Sequence, residues 1–368
     1  RQAEAYAARK LPAETVREMV QNGFFRILQP KRYGGFEMDP QVFFDVQMTL
    51  AEACMSTAWV LGVVGCHPDQ IALFDDRAQK EVWGSSPDTL VSSSYQPVGK
   101  VEVVEGGFKL SGRWGFSSGC EYCDWVLLGS LIFNKEGPPE MRTFLVPRKD
   151  YKILDNWYTF GLQATASQDI VVEGAFVPEY RTHKAVDGFM CKNPGNAVND
   201  GPLYQLPWAQ VFVRSVSTAA IGAVQGALDA FVDIGKKRVS TNTGKATKQD
   251  SNAILAAART QSAIDEMKAL LYRNFDEMMA AMRAGQALTM EQRIRYRYQS
   301  SQVGRRCADL IDDLMPLLGG RAIYTDSPIV RYWLDVNASR AHVANDPNLV
   351  GASLGSMYMG EQPQEFFV

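Results

Sequence analysis

Across 368 residues, no two glycines are separated by a single residue. This excludes the G-x-G-x-x-G dinucleotide fingerprint, and no P-loop is present either. If the chain does redox chemistry, it carries no evident nicotinamide site of its own. Histidine is scarce. His67, His183 and His342 are the only three and no H-E-x-x-H occurs, so no histidine-rich metal site is expected. Neither sign of charge dominates: 38 Lys+Arg stand against 41 Asp+Glu, a formal net charge of −3. No block of like charge appears, and nucleic-acid binding has no electrostatic support. The longest apolar run, Thr57 to Gly65, is far too short to span a bilayer, so no membrane partner is expected.

Cysteine lacks a pattern too. Of six, only Cys120 and Cys123 are close, and no second pair with zinc-like spacing exists. A thioredoxin-type C-x-x-C sits at a strand-to-helix turn. Here the pair precedes "DWVLLGSLIF", which has the pattern of a strand. We therefore expect plain structural thiols. Scattered cysteines and no evident secretory signal fit a cytoplasmic location. The chain begins at Arg1 rather than Met, so a few preceding residues are expected.

The patterns that are present divide the chain into parts. Residues 1–88 carry helical periodicity, as in "KLPAETVREMVQNG", with Pro12 at a start and Gly23 as a stop, and "PQVFFDVQMTLAEACMSTAWVLG", expected as one long helix. Residues 89–180 change period. "KVEVVEGGFKLSGRW" reads as a hairpin around Gly106-Gly107, and "DWVLLGSLIF", "RTFLVPR", "YKILDNW" and "DIVVEGAFVP" follow at strand length. Residues 181–204 are rich in Gly, Pro and Asn and are expected to be a linker. Residues 205–368 hold three long helical patterns and a shorter fourth, which together call for a four-helix bundle. The small residues Ala219, Ala220, Gly222, Ala223 and Gly226 permit close helix contact there. The expected fold class is α+β.

Helical part, β part and four-helix bundle is the plan of the acyl-CoA dehydrogenase family. The segments "LQPKRYGGFEMDP", "STAWVLGVVGCH", "RAQKEVWG", "SSSYQPVGK", "WGFSSGCEYCDW", "DNWYTFGL", "FVPEYR" and "AHVANDPN", in that order, resemble one branch of it. That branch is the oxygenase components of two-component flavin-dependent aromatic hydroxylases, such as those acting on 4-hydroxyphenylacetate or on the phenolic ring of opened steroids. The resemblance covers nearly the whole chain. It implies a monooxygenase that converts a phenol to a catechol through a C4a-hydroperoxyflavin. It also implies reduced flavin (FMNH2 ahead of FADH2), dioxygen, a separate NAD(P)H:flavin reductase and assembly as a homotetramer.

The resemblance also assigns residues. Phe116 and Ser118 hold the places of an aromatic and a hydroxyl at flavin N5, with Ser118 steadying the hydroperoxyflavin. Taken alone, Ser118 is a satisfied loop serine. His67 matches a substrate-facing histidine and His342 a histidine beside the flavin, whereas His183 is assigned nothing. Ser93 matches a phenol-binding serine, with a strand-entry serine as the alternative. Thr165 and Ser167 match a stretch that approaches the flavin, and Gln163 stands where the steroid branch has Arg. Arg238 resembles a cation that reaches a flavin phosphate of its own or a neighbouring subunit; the alternative is a surface arginine at a helix end. Two other readings stay open. An acyl-CoA dehydrogenase-type desaturase needs a carboxylate base, and Val343 stands where the common subclass has Glu. A catalytically inactive homologue has no positive support.

Overall fold

The computed structural model describes residues 1–368 except 134–136, 242–243, 364 and 366. The N-terminal part comprises α1 (Gln2–Ala8), α2 (Ala13–Gln21), α3 (Pro40–Ala53), α4 (Met55–Gly65), α5 (His67–Ala72) and α6 (Asp76–Trp83). Pro12 stands at the N-cap of α2, and Gly23 just beyond its end takes φ +74. The long helix expected from Pro40 onward is broken at Cys54, which is extended (φ −158, ψ 104). No Pro or Gly marks the break. The reason is burial: all eleven residues of α4 are buried, whereas α3 keeps exposed positions. A helix that is apolar on every side must enter the core, and α3 cannot follow it.

Among the described residues, eight strands follow: β1 (Val91–Ser94), β2 (Lys100–Val104), β3 (Gly107–Ser117), β4 (Trp125–Ile132), β5 (Glu140–Pro147), β6 (Lys152–Leu154), β7 (Gln168–Pro178) and β8 (Thr182–Lys184). They form two four-stranded sheets, ordered β1-β4-β5-β8 and β2-β3-β7-β6. Phe108, Leu110, Trp114, Val126, Leu128, Phe144, Val146, Ile170 and Val172 fill the space between them. The outer face of the first sheet, with Val91, Leu127 and Leu145, packs on Ile71, Phe74, Val82 and Trp83 of the α5–α6 region. Being covered on both faces explains why β4 is a continuous apolar run rather than an alternating one. Among the described residues, only β1 and β4 pair in parallel. That pairing is non-local, and it brings the strand after α6 alongside the one after Cys123.

The stretch 181–204 is not a bare linker. It contains β8, which pairs with β5, and α7 (Ala185–Met190). His183, Asn193, Asn199 and Tyr204 are buried within it. Its Pro, Gly and Asn residues make capped 3-10 turns rather than loose chain, as in the Asn193–Asn196 capping box.

The C-terminal part holds α8 (Trp208–Ser215), α9 (Thr218–Lys237), α10 (Ser251–Arg283), α11 (Met290–Leu314), α12 (Pro328–Ser339) and α13 (Pro347–Tyr358). The stretch Trp208–Lys237 is long and apolar enough to cross a membrane by length and composition, a feature that counting uninterrupted runs passed over; 94% of its most apolar window is buried inside the protein. The small residues of α9 do permit close contact, but with the N-terminal part. A Cβ on Gly222 would meet the Met48 carbonyl oxygen at 2.1 Å, and one on Gly226 the Glu52 carbonyl oxygen at 2.3 Å. The α9 backbone therefore lies directly on α3, and one core runs through both helical parts.

Candidate active site

The "WGFSSGCEYCDW" stretch ends β3 with a bulge. The β3–β7 register slips between Trp114 and Ser117, and Phe116 takes φ +64. Left-handed backbone is uncommon for an aromatic residue, and such bulges re-aim side chains. Phe116 is thrown outward, 65% exposed, while Ser117 and Ser118 turn in and are buried. Leu162 (φ +51) and Ala166 (φ +44) lie across from it, so three of the six positive-φ non-glycine residues among those described gather here. Strain of this kind concentrates at functional sites. Cys120 and Cys123 are buried free thiols, with Cys120 pushed up to about 12 by burial and Cys123 also raised. They are structural.

Ser118 is tied to the two other hydroxyls that the resemblance singled out. Its Oγ lies 2.6 Å from Ser167 Oγ, which lies 2.6 Å from Thr165 Oγ1. Trp59 Nε1–H donates to Ser118 Oγ at 3.2 Å, and the Trp59 ring stands edge-on to His342, with centroids 5.9 Å apart. His342 also faces Phe212, which contacts Trp208 and Tyr95, and Tyr95 stands edge-on to His67. Phe367 of the C-terminal tail lies against Trp208 and Phe212. The two histidines thus stand on one aromatic cage built from α4, α5, β1 and its following turn, α8 and the turn after α12. Ser118 reaches the cage through Trp59.

Hydrogen bonding sets the two histidines oppositely. Nδ1 of His67 lies 2.5 Å from the Val91 carbonyl oxygen, which can only accept, so Nδ1 carries the hydrogen. Nε2 is then a bare lone pair, and it is buried without a hydrogen-bond partner among the described residues. Burial pushes His67 down to about 4, outweighing the opposing pull of the Val91 carbonyl, so the ring is neutral near pH 7. His342 is the reverse. Its Nδ1 accepts the Ala344 N–H at 3.1 Å, which leaves the hydrogen on Nε2. Enclosure of its ring first, and the Arg297 charge second, push it down to about 4, although the residue keeps some exposed surface. One histidine therefore presents an acceptor and the other a donor.

Two buried arginines, which no local sequence signal marks, complete the surroundings. Arg297 donates to the Ala344 carbonyl at 2.8 Å, but among the described residues its Nε finds no partner, nor does Nη2 of Arg214. Burial pushes Arg214 down to about 9, helped by the Arg297 charge, and Arg297 down to about 10, opposed by Glu365. They make the region electropositive. Trp59, Tyr95 and Phe212 were also missed. Each lies in a motif or helix that reads equally well as core.

The other expected residues fall as follows. Ser93 lies on β1, half-buried, two residues before Tyr95 of the cage, whose hydroxyl donates to Gln70 Oε1 at 2.5 Å. His183 is buried and bonded to Asn193 at 2.8 Å, a structural role. Arg238 ends α9, roughly 30 Å along the helix from its Thr218 end, and bonds Thr247 at 2.9 Å. Within one chain it does not join the cluster. Among the described residues, no group of three or more His, Cys, Asp or Glu is placed to hold a metal ion. A flat, apolar, hydrogen-bonding ring does fit the chemistry present. Exposed Phe116, with Trp157 edge-on at 5.9 Å and Tyr158 and Phe160 exposed nearby, offers it an aromatic bed beside the buried Ser118 hydroxyl.

The acyl-CoA dehydrogenase N-terminal domain matches residues 1–85, and the acyl-CoA dehydrogenase C-terminal domain matches residues 215–347. The chain is 38% identical over 363 residues to a flavin-dependent monooxygenase, oxygenase subunit HsaA, of Mycobacterium tuberculosis, covering 98% of this chain and 92% of that one. It is 30% identical over 361 residues to a p-hydroxyphenylacetate 3-hydroxylase, oxygenase component, of Acinetobacter baumannii, covering 98% and 86%. The crystal structure of the M. tuberculosis HsaA monooxygenase superposes with a TM-score of 0.95 at 36% identity, covering 100% of this chain and 95% of the other. The chain belongs to the acyl-CoA dehydrogenase family, in its branch of flavin-dependent monooxygenase oxygenase components.

Proposed function

We propose that this chain hydroxylates a small phenol ortho to its hydroxyl, giving a catechol, with reduced flavin supplied by a separate NAD(P)H-dependent reductase. The observation that carries this reading is the opposite setting of His67 and His342 on one aromatic cage. Bound reduced flavin, together with dioxygen, supplies an electrophilic oxygen; the residues of this chain do the rest. His67 Nε2, an orphaned acceptor, takes a hydrogen bond from the phenol O–H and sends electron density to the ortho carbon. At about 4 it is too weak a base to hold the proton outright at rest. Negative charge on the phenol oxygen is what would strengthen it. His342 Nε2–H donates toward the oxygen being delivered or left behind. Arg214 and Arg297 favour negative charge in this low-dielectric region. Ser118 holds the flavin edge at N5. Tyr95, Trp208, Phe212 and Phe367 enclose the aromatic ring of the substrate.

Desaturation of an acyl thioester is disfavoured. The common subclass has its carboxylate base at the place of Val343, and that residue is 83% exposed and apolar. Homotetramer assembly is part of the proposal, since Phe116, Tyr158 and Phe160 stay uncovered in one chain. The test is direct. The purified chain is loaded anaerobically with FMNH2 or FADH2 and mixed with isotopically labelled dioxygen and a panel of phenols. One labelled oxygen should enter a catechol product, and NAD(P)H should not be consumed without a reductase. Unlabelled product, or rapid NAD(P)H oxidation by the chain alone, refutes the reading.

A further inference from the structure

One line of hydrogen bonds leads away from Ser118, and counting hydrogens fixes its direction. The Leu162 carbonyl can only accept, so the Thr165 hydroxyl, 2.9 Å away, spends its single proton there. Thr165 has none left for Ser167, so Ser167 donates across their 2.6 Å contact. Ser167 in turn has none left for Ser118, so Ser118 donates across the next 2.6 Å contact. Trp59 Nε1–H, a pure donor, enters Ser118 from the other side. Every proton in the line points from Trp59 toward Leu162. What Ser118 has left is an acceptor lone pair. Trp59, Ser118, Ser167 and Thr165 are all more than nine-tenths buried, so bulk water does not scramble the order.

The far end of the line is held from outside the site. Leu162 sits in left-handed backbone, and its N–H donates to Asp335 Oδ1 at 2.7 Å. Asp335 lies on α12, is itself buried, and takes the Tyr6 hydroxyl on its other oxygen. Three parts of the chain therefore converge on this one carboxylate. Gly161 lets the loop come this close: a Cβ there would meet the Leu334 carbonyl oxygen at 2.2 Å. Besides Thr165 O–H, the Leu162 carbonyl also collects Thr165 N–H and Trp157 Nε1–H, which holds it as the terminal acceptor.

We propose that Thr165 and Asp335 are positioning residues that fix the direction of this line, so that Ser118 offers flavin N5 a lone pair rather than a proton. N5 of reduced flavin carries a hydrogen and can donate to that lone pair. N5 of oxidised flavin is itself an acceptor and meets another acceptor. The line thus makes the site select the reduced cofactor. This rests on the flavin reading above and adds to it which residues enforce the choice.

The experiment measures affinity rather than turnover. The full chain and its Thr165→Val variant are titrated with oxidised FMN and FAD in air and with the reduced forms anaerobically. Wild type should bind the reduced form more tightly. Thr165→Val frees the Ser167 proton, lets Ser118 reverse, and should lower the oxidised-to-reduced Kd ratio about tenfold, the effect of one hydrogen bond. For the two-electron couple this equals a fall of about 30 mV in the midpoint potential of the bound flavin. Asp335→Ala should move the ratio the same way and add little on top of Thr165→Val, while Asp335→Asn, which keeps an oxygen for the Leu162 N–H, should restore it. Should Asp335→Ala fail to fold, Thr165→Val decides alone. An unchanged ratio in Thr165→Val, with both affinities falling together, overturns the proposal and leaves the flavin reading standing. A wild-type chain that binds neither form overturns both.

Discussion

Replacing His67 by Gln should make the protein less sensitive to acid, by an amount that the structure sets. The buried imidazole is pushed down to about 4, against about 6.5 in the unfolded chain. Between those values the unfolded state binds a proton that the folded state refuses. Stability from this group is therefore complete above pH 6.5 and is lost as pH falls toward 4. A gap of about 2.5 pH units at about 1.4 kcal/mol each is worth about 3.5 kcal/mol in full, of which about 3 kcal/mol is lost by pH 4, where the folded group is half protonated. Gln keeps an N–H for the Val91 carbonyl but cannot be protonated. The difference in unfolding free energy, wild type minus His67→Gln, should thus fall by about 3 kcal/mol between pH 7 and pH 4. Urea titrations across that range, at one protein concentration, measure it. Other groups cancel in the difference, including His183, His342 and nearby Asp69, whose carboxyl burial raises to about 8. Parallel curves for the two proteins would show that His67 is not held neutral by burial, and the acceptor role assigned to its Nε2 would fall with it.

Ser118→Ala should divert oxygen into free hydrogen peroxide at the expense of catechol. Affinity for reduced flavin should drop by no more than about tenfold, since one hydrogen bond is worth about 0.5–1.5 kcal/mol; wild-type peroxide yield per flavin oxidised would remove Ser118 from the N5 position. Light scattering at micromolar concentration should give a tetramer, and a fully active monomer would contradict the assembly proposed above. Gly222→Ala should destabilise the fold by about 1–3 kcal/mol, because the new methyl meets the Met48 carbonyl at 2.1 Å where α9 lies on α3. A neutral effect in denaturant melts would mean that the two helices can separate freely.

The division into helical, β and helical parts was legible because it follows from period alone. The change from helical spacing to alternation and back survives without any tertiary information, and so do local stops such as Gly23 and the Gly106-Gly107 turn. The absence of a nucleotide fingerprint was equally readable, being a matter of spacing. What the sequence by itself determined was therefore local: element type, turn chemistry, and a set of motifs whose order points to a family.

Tertiary structure decided the rest, and in each case through a contact distant in sequence. The break at Cys54 has no breaker residue. It exists because α4 is buried on every side and α3 is not. The stretch 181–204 looked like a linker by composition and became ordered through the pairing of β8 with β5 and the burial of His183 and Asn193. His67 and His342 were nameable from the motifs around them, but which nitrogen carries the hydrogen depends on the Val91 carbonyl for one and the Ala344 N–H for the other. Arg214, Arg297 and Asp335 carry no local signature at all. A buried charge is legible only once the fold has taken its water away, and pairwise spacing along a chain holds no record of that.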